Sequence, residues 1–320
     1  MKMDKVMSIM LLVAFAAIVS AACRNQPMKA SEHETEKMLS EAAMDDNTQE
    51  EAVKSNLDVR ITNKGDSVRI VSLLKEGRTL GKEVNDVLFF ARKFMGKPYV
   101  AYTLDQELNE RLVINTEGLD CTTYVENVMA LAICARRHLT TFEDFCQVLS
   151  HVRYVDGKVA YTKRQHYFTY WISDNINESL ISDIELPPAP LSQQRKPKVD
   201  YMTTHVASYK MLNAHQEWLP EIKKMEEKVN ATTFTFIPKA QLKDSGKYRK
   251  YIKDGDIIGI VTNKAGLDIS HVGFAVWHNG QLHLMNASSL HKKVVDETMT
   301  LYQYLQKQTS SAGIRVVRIN

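Results

Sequence analysis

The chain has 320 residues, of which 44% are hydrophobic and 25% are charged, a composition typical of globular proteins. This length fits one large domain or two of average size, and the small net charge of +3 does not predict a nucleic-acid-binding protein. None of the four cysteines forms a CxxC pair and no histidine lies in an HExxH motif, so neither a metal site nor another cofactor is predicted.

The N-terminus has the features of a secretory signal. Two lysines precede an apolar run over residues 6–19, and small residues follow up to Ala22. Cys23 resembles the lipid-accepting cysteine of bacterial lipoproteins; the alternative is plain secretory cleavage that leaves Cys23 an ordinary residue. We therefore predict a signal peptide over residues 1–22 and an exported protein, a periplasmic or cell-envelope lipoprotein held at the membrane by a lipid on Cys23.

Residues 23–60 are predicted to be a solvated tether. Between Ala30 and Asp58, nine acidic residues stand against two lysines, and aromatic residues are absent. A segment with this much charge and this little apolar surface does not form a core. The folded part is predicted to be a single domain over residues 61–320.

Hydrophobic spacing predicts a mixture of helices and strands in this domain. Helices are expected at residues 67–74, 82–95, 141–153, 202–218 and 219–229, and strands at residues 112–114, 234–237 and 257–261. Residues 186–200, with four of the eight prolines, are predicted to be a loop. Residues 159–175 are dense in aromatic side chains and form either the wall of a binding groove or the edge of a core.

The stretch GLDCTTYVENVMAL, residues 118–131, is predicted to contain the start of a helix with one broad apolar face, preceded by a turn at Gly118. Asp120 stands where a helix cap belongs, so Cys121 falls in the first turn. The N–H groups and the dipole at that end of a helix favour a thiolate. Cys121 is therefore either a nucleophile or a small core residue. Cys134 and Cys146 are predicted to be buried free thiols, with a disulfide between them as the alternative that export permits.

A second group of candidates lies in DISHVGFAVWHNGQLHLMNASS, residues 268–289. The Asn-Gly pair at residues 279–280 lies between two apolar runs and predicts a two-residue hairpin turn. Counting back from that turn, the residues expected on one face are His271, Gly273, Asn286 and Ser288. His271 and Asn286 are thus predicted to be diagonal neighbours, and His283 is predicted to lie on the opposite face.

Together these residues make a nucleophilic mechanism. The Cys121 thiolate attacks a carbonyl, His271 takes and returns the proton, and the Asn286 oxygen holds the imidazole in the required tautomer. Residues of such a group can be far apart in sequence because the fold brings them together.

Four motifs carry a family resemblance: a GxPY turn, an Asp-Cys-Thr helix start, an SHVGFAVW strand and the Asn-Ala-Ser that follows it. They resemble the NlpC-type cell-wall hydrolases of the papain-like superfamily. Within that group, residues 80–320 resemble the N-acetylmuramoyl-L-alanine amidase-like family, with the matches GKPYVAYTLD, LDCTTYVENVMALA, RQHYFTYWISDN, DGDIIGIVTNKAGLDISHVGF and GIRVVRIN. The resemblance implies an α+β, papain-like fold with the nucleophile at the N-terminus of a central helix packed on an antiparallel sheet.

The resemblance also implies roles for single residues. Cys121 is the nucleophile, His271 the base and acid, and Asn286 the third member, where many relatives have His. Tyr99 lies beside the cysteine and either orients the thiol or donates to the oxyanion. The residues that the resemblance assigns to substrate contact are Asp120, Thr122, Arg164, His166, Tyr167, Trp171 and Ser270.

The implied substrate is peptidoglycan or its soluble muropeptide fragments, and the implied bond joins the muramic lactyl group to L-Ala. An exported protein at the membrane meets that polymer directly. Three alternatives stay open: cleavage of the D-Glu–diaminopimelate bond in the stem peptide, a wall-binding module without turnover, and acyl transfer to an acceptor other than water.

Overall fold

The computed structural model describes residues 57–320. The predicted signal peptide, Cys23 and the predicted tether up to residue 56 lie outside the described residues. Strand β1 (Val59–Ile61) pairs with strand β2 (Leu112–Ile114) as a two-stranded parallel sheet. Strand β1 thus begins two residues before residue 61, where the predicted domain begins.

The helices account for most of the chain before the main sheet. The α-helices of the described residues are α1 (Asp66–Gly77), α2 (Asp86–Lys93), α3 (Cys121–Arg136), α4 (Phe142–Arg153), α5 (Phe168–Asn177), α6 (Tyr201–Thr204), α7 (Lys210–Ala214), α8 (Leu219–Ala231) and α9 (Leu301–Lys307). Short 3-10 helices lie at Val155–Gly157, Tyr161–Lys163, Val206–Ser208, Gln216–Trp218 and Lys239–Tyr248. None of the helices within residues 57–320 is long and apolar enough to cross a membrane.

Within residues 57–320 the main sheet has eight strands, and every neighbouring pair of them is antiparallel. Its strands are β3 (Ile181–Asp183), β4 (Gln193–Arg195), β5 (Phe234–Pro238), β6 (Ile257–Thr262), β7 (Ile269–His278), β8 (Gln281–Ser288), β9 (Lys293–Asp296) and β10 (Ser311–Ile319). They follow the order β4-β5-β10-β6-β7-β8-β9, and β3 also pairs with β10. The domain is therefore α+β, as the sequence predicted.

The β7–β8 hairpin has the predicted register. Its pairs run from His278–Gln281 at the turn to Phe274–Met285 further along. The turn residues 279–280 have φ values of 49° and 75°, which is the positive-φ pair that a two-residue type I′ turn requires.

Helix α3 is buried on all sides, whereas the sequence predicted a single apolar face. Residues 123–134 are all buried, because α1, α2, α4, β7 and β8 surround the helix. The buried Glu126 carboxylate accepts a hydrogen bond from Arg153 Nε at 2.7 Å, so its charge is paired. The helix that carries Cys121 is thus held rigidly at the centre of the domain.

Two predicted helices differ in extent. The segment 202–218 is divided among α6, α7 and two 3-10 turns, where hydroxyl groups such as that of Thr204 donate to the Asp200 carbonyl and compete with regular helix hydrogen bonding. The helix predicted over residues 82–95 starts late, because the Asn85 side chain caps it.

Apolar side chains cover both faces of the main sheet. On one face, Phe274 packs edge-on against Tyr124 of α3, with ring centroids 5.5 Å apart. On the other face, Ala275 and Leu284 belong to a second core with residues of α9, including Leu305. Strands β7 and β8 therefore lie between two packed layers, which fixes the positions of their side chains.

Candidate active site

Cys121 is the first residue of α3. The Asp120 side chain accepts a hydrogen bond from the Thr123 N–H at 2.8 Å, and the Thr123 hydroxyl accepts one from the Asp120 N–H at 3.0 Å. This reciprocal capping box fixes the first turn of the helix. Cys121 itself is half-buried, so its sulfur lies in a fixed place and is still accessible.

His271 lies near the start of β7, beside an irregularity in the strand. His271 pairs with Ile260 and Ile269 pairs with Val261, so Ser270 is the extra residue of a β-bulge. Bulges turn side chains away from the regular alternation of a strand and are frequent beside active sites. Here the bulge directly precedes the imidazole.

Asn286 is completely buried on β8, and its Oδ1 lies 2.9 Å from Nε2 of His271. The hairpin register predicted this contact. Gly273 makes room for it, because a Cβ at that position would lie 2.6 Å from the Met285 carbonyl oxygen and 2.9 Å from Asn286 Cβ. His283 points elsewhere, and its Nδ1 lies 3.0 Å from the Glu297 carbonyl oxygen.

Cys121 and His271 line the same cleft, and Cys121 is close enough to raise the pKa of the imidazole. An amide oxygen can only accept, so the contact with Asn286 Oδ1 requires the proton of the neutral ring to be on Nε2, and Nδ1 is then the ring atom that can accept a proton. Burial alone lowers the pKa of His271, but Cys121, Asn286 and Glu297 together outweigh it and raise the pKa above its usual value. The site therefore favours a protonated imidazole beside Cys121.

Tyr99 lies next to this pair. Its N–H donates to the Lys292 carbonyl oxygen at 2.9 Å, and it bridges to Leu119 just before α3. Burial, together with the neighbouring Cys121 and Asp120, raises the pKa of Tyr99 to about 12. The phenol is consequently protonated at neutral pH and can donate a hydrogen bond.

A cleft opens beside Cys121 and His271. Of the predicted substrate-contact residues, Thr122, His166, Tyr167 and Ser270 line it, and apolar lining comes from Phe168, Met202, Tyr209, Leu267, Ile269 and Val272. Burial, and next to it Arg164, lowers the pKa of His166 to about 3, so that imidazole is neutral.

Trp171 and Arg164 are buried side chains and are not among the residues that line this cleft. Trp171 is completely buried in the main core and stacks on Phe168 at 4.5 Å. Arg164 is buried too, where its guanidinium pairs with Asp105 at 2.6 Å and with Glu110 at 3.4 Å. Trp171 therefore contributes to core packing, and Arg164 pairs with two acidic side chains, so both stabilise the fold.

Two other predicted contacts have structural partners of their own. The Asp120 carboxylate is engaged as the cap of α3. The Tyr167 hydroxyl lies away from solvent, where it donates to Glu226 at 2.7 Å and accepts from the Met202 N–H at 3.0 Å. Only the ring of Tyr167 is left to face the cleft.

Two side chains that the sequence did not single out complete the surroundings of His271. The Tyr304 ring stacks on the imidazole, with centroids 6.2 Å apart and an interplanar angle of 27°. The buried Glu297 carboxylate lies behind Asn286. Both follow β9 without a recognisable motif, so only their position in the fold identifies them. Within residues 57–320, no group of three His, Cys, Asp or Glu side chains is placed to hold a metal ion.

Comparison with known proteins gives a consistent family relationship. A sequence model of the family described as N-acetylmuramoyl-L-alanine amidase-like (AmiA-like) matches residues 89–314. A crystal structure of an N-acetylmuramoyl-L-alanine amidase from Bacteroides uniformis ATCC 8492 is 36% identical, with a TM-score of 0.69 over 77% of this chain and 99% of that chain.

Two further solved structures are similar to this chain. A Bacteroides fragilis protein, provisionally described as a xylanase, is 38% identical, with a TM-score of 0.67 over 72% of this chain and 100% of that chain. A Legionella pneumophila protein is 24% identical, with a TM-score of 0.58 over 79% of this chain and 94% of that chain, and it shares the fold. No protein with a curated description matches.

Proposed function

Because the chain belongs to the N-acetylmuramoyl-L-alanine amidase-like family, we propose that it is a cysteine-dependent amide hydrolase of peptidoglycan or its muropeptide fragments. The bond that we propose is the amide between the muramic lactyl group and L-Ala. The observation that carries the proposal is that Cys121 and His271 line one cleft and that Nε2 of His271 lies 2.9 Å from Oδ1 of the buried Asn286. We also propose that the domain has the papain-like fold of the NlpC-type hydrolases.

The residues of this site have separate roles in the proposed reaction. The Cys121 thiolate attacks the lactyl carbonyl carbon, and the oxyanion is stabilised by N–H groups at the start of α3 and by the Tyr99 hydroxyl. The His271 imidazolium gives its proton to the departing amine of L-Ala, which leaves a thioester on Cys121. His271 then takes a proton from water, the hydroxide oxygen bonds to the thioester carbon, and Cys121 leaves as thiolate.

The cleft supports an amide substrate over a glycosidic one. Glycosidases usually need two carboxyl groups on either side of the scissile bond. Among the described residues that line the cleft, Asp268 is the one with a carboxylate. Its Oδ2 accepts a hydrogen bond from the Thr169 N–H at 2.6 Å. The cleft thus lacks the pair that a xylanase would require.

Incubation with muropeptides, followed by mass spectrometry of the products, tests the proposal. We expect free L-Ala amino termini on intact stem peptides, and no product from the Cys121→Ala variant. A cut between D-Glu and diaminopimelate would overturn the proposed bond. Absence of any cut, or release of the products by Cys121→Ala, would overturn the cysteine hydrolase itself.

A further inference from the structure

The Asn286 amide serves His271 only when its oxygen faces the imidazole. An amide has two ends of nearly equal size, and a half-turn about the last side-chain bond exchanges them. In the reversed orientation, the NH₂ group would face Nε2–H of His271, donor against donor. Whatever fixes this orientation also fixes the tautomer of His271 and keeps Nδ1 free for Cys121.

Glu297 lies at the other end of that amide. Nδ2 of Asn286 donates to Glu297 Oε1 at 3.4 Å, which is its hydrogen-bond partner within residues 57–320. A carboxylate only accepts hydrogen bonds, so it attracts NH₂ and repels the amide oxygen. The reversed amide would thus be opposed at both ends, by Nε2–H of His271 and by Glu297.

Glu297 is itself held in place. Its side chain is 1% exposed, and its N–H donates to the Leu284 carbonyl oxygen at 3.0 Å. Its second carboxylate oxygen lies 3.2 Å from Nε2 of His291, a side chain that is 41% exposed. The hydrogen-bonded chain therefore runs from His271, which lines the cleft, to His291 at the surface.

We propose that Glu297 is a positioning residue of this site: its carboxylate orients the Asn286 amide and thereby keeps His271 in the form that serves Cys121. This inference rests on the proposed function, and it adds a fourth residue that never touches the substrate. His291 anchors the carboxylate from the solvent side.

The negative charge adds a second effect, which can be measured. Glu297 is one of the groups that raise the pKa of His271 against the opposing effect of burial. The other titratable groups that face His271 are Cys121 from α3 and Tyr304 from α9, and Tyr304 is neutral because burial and Glu297 raise its pKa. Loss of the Glu297 charge removes stabilisation of the imidazolium, so the pKa of His271 falls.

The test compares Glu297→Ala, Glu297→Gln and a matched control, Asp296→Asn. Asp296 is the preceding residue, and its carboxylate pairs with His278 at 3.0 Å instead of with Asn286. We expect Glu297→Ala to lower kcat about 10- to 100-fold with little change in KM, because the imidazole is misplaced and substrate contacts are not. Glu297→Gln keeps an oxygen that accepts from Asn286, so we expect part of kcat to return.

The pKa of His271, followed by NMR titration, is the second readout. We expect it to fall in both Glu297 variants and to stay unchanged in Asp296→Asn. An unchanged kcat and an unchanged His271 titration in Glu297→Gln would overturn the inference, and that isosteric variant carries the test if Glu297→Ala does not fold. The titration does not depend on turnover, so failure of the proposed function would be seen separately, as a wild-type protein that cleaves no muropeptide.

Discussion

Cys121 differs from Cys134 and Cys146 in what surrounds its sulfur. It begins α3 beside an imidazole and is partly accessible, whereas the other two thiols are buried among apolar side chains. Burial raises the pKa of both Cys134 and Cys146 to about 12. A single chain therefore contains one candidate nucleophile and two internal reference thiols.

Iodoacetamide at mildly acidic pH should modify Cys121 and leave Cys134 and Cys146 unmodified. Because Cys121 lies beside an imidazole in the first turn of a helix, we expect a rate at least about tenfold above that of a free thiol. Peptide mass spectrometry identifies the modified position. A rate at Cys121 equal to that of an ordinary thiol would contradict the activated-nucleophile hypothesis.

Replacement of Asn286 by Ala should lower kcat about tenfold or more, because His271 loses the group that sets its tautomer. It should also move the alkaline limb of the pH–rate profile to lower pH. The pKa of His271 is raised in the folded protein, so the imidazolium is kept to a higher pH than usual and is lost as the pH rises through that pKa. Asn286 contributes to that increase, and its loss moves the limb back. An unchanged alkaline limb in Asn286→Ala would contradict this role.

At the scale of elements, the site depends on where α3 begins and on how β7 and β8 pair. The capping box of Asp120 and Thr123 sets the first turn of α3, and α4 begins with a second capping box, of Thr141 and Asp144. The two caps have the same form, but only the first adjoins Cys121. Replacing each cap in turn therefore distinguishes the effect of lost helix stability from the effect of a displaced Cys121.

We expect Asp120→Ala and Thr141→Ala to destabilise the protein similarly, by about 1 kcal/mol each, since each removes a side-chain cap. For a domain of this size, that corresponds to a decrease in Tm of about 2–4 °C. Only Asp120→Ala should also lower the rates of Cys121 alkylation and muropeptide cleavage. Equal activities in the two variants at matched temperature would show that the cap has no part in placing the thiol.

At the scale of the whole molecule, the site joins parts that are distant in sequence. Cys121 comes from a helix surrounded on all sides, His271 and Asn286 come from one hairpin, and Glu297 follows the edge strand β9. The domain over residues 57–320 brings them together by packing both faces of one sheet. We propose that residues before it supply the location, through export and a lipid on Cys23.

The Cys23→Ser variant tests that location. With the lipid acceptor removed, the protein should move from the membrane fraction to the soluble periplasmic fraction and should no longer incorporate labelled fatty acid. Its activity on soluble muropeptides should be unchanged, because the residues of the proposed active site all lie within residues 57–320. Membrane recovery equal to that of the wild type would contradict the lipid anchor.

The sequence by itself determined the local features of this protein. The sequence predicted Asp120 as a helix cap, the hairpin turn at residues 279–280 and the strand register that brings His271 to Asn286. All three depend on residues close together in the chain, so the sequence alone can show them. The family resemblance was likewise contained in contiguous motifs, and the α+β class followed from it.

Only the tertiary structure decided which side chains face the cleft. Arg164 and Trp171 lie in a segment whose composition fits a groove wall and a core equally well, and burial is set by helices and strands from elsewhere in the chain. The same holds for α3, which is enclosed by partners that its own spacing cannot reveal. Glu297 has no motif, and its place behind Asn286 exists only because β8 and β9 pair, since contacts between strands depend on register across the whole sheet.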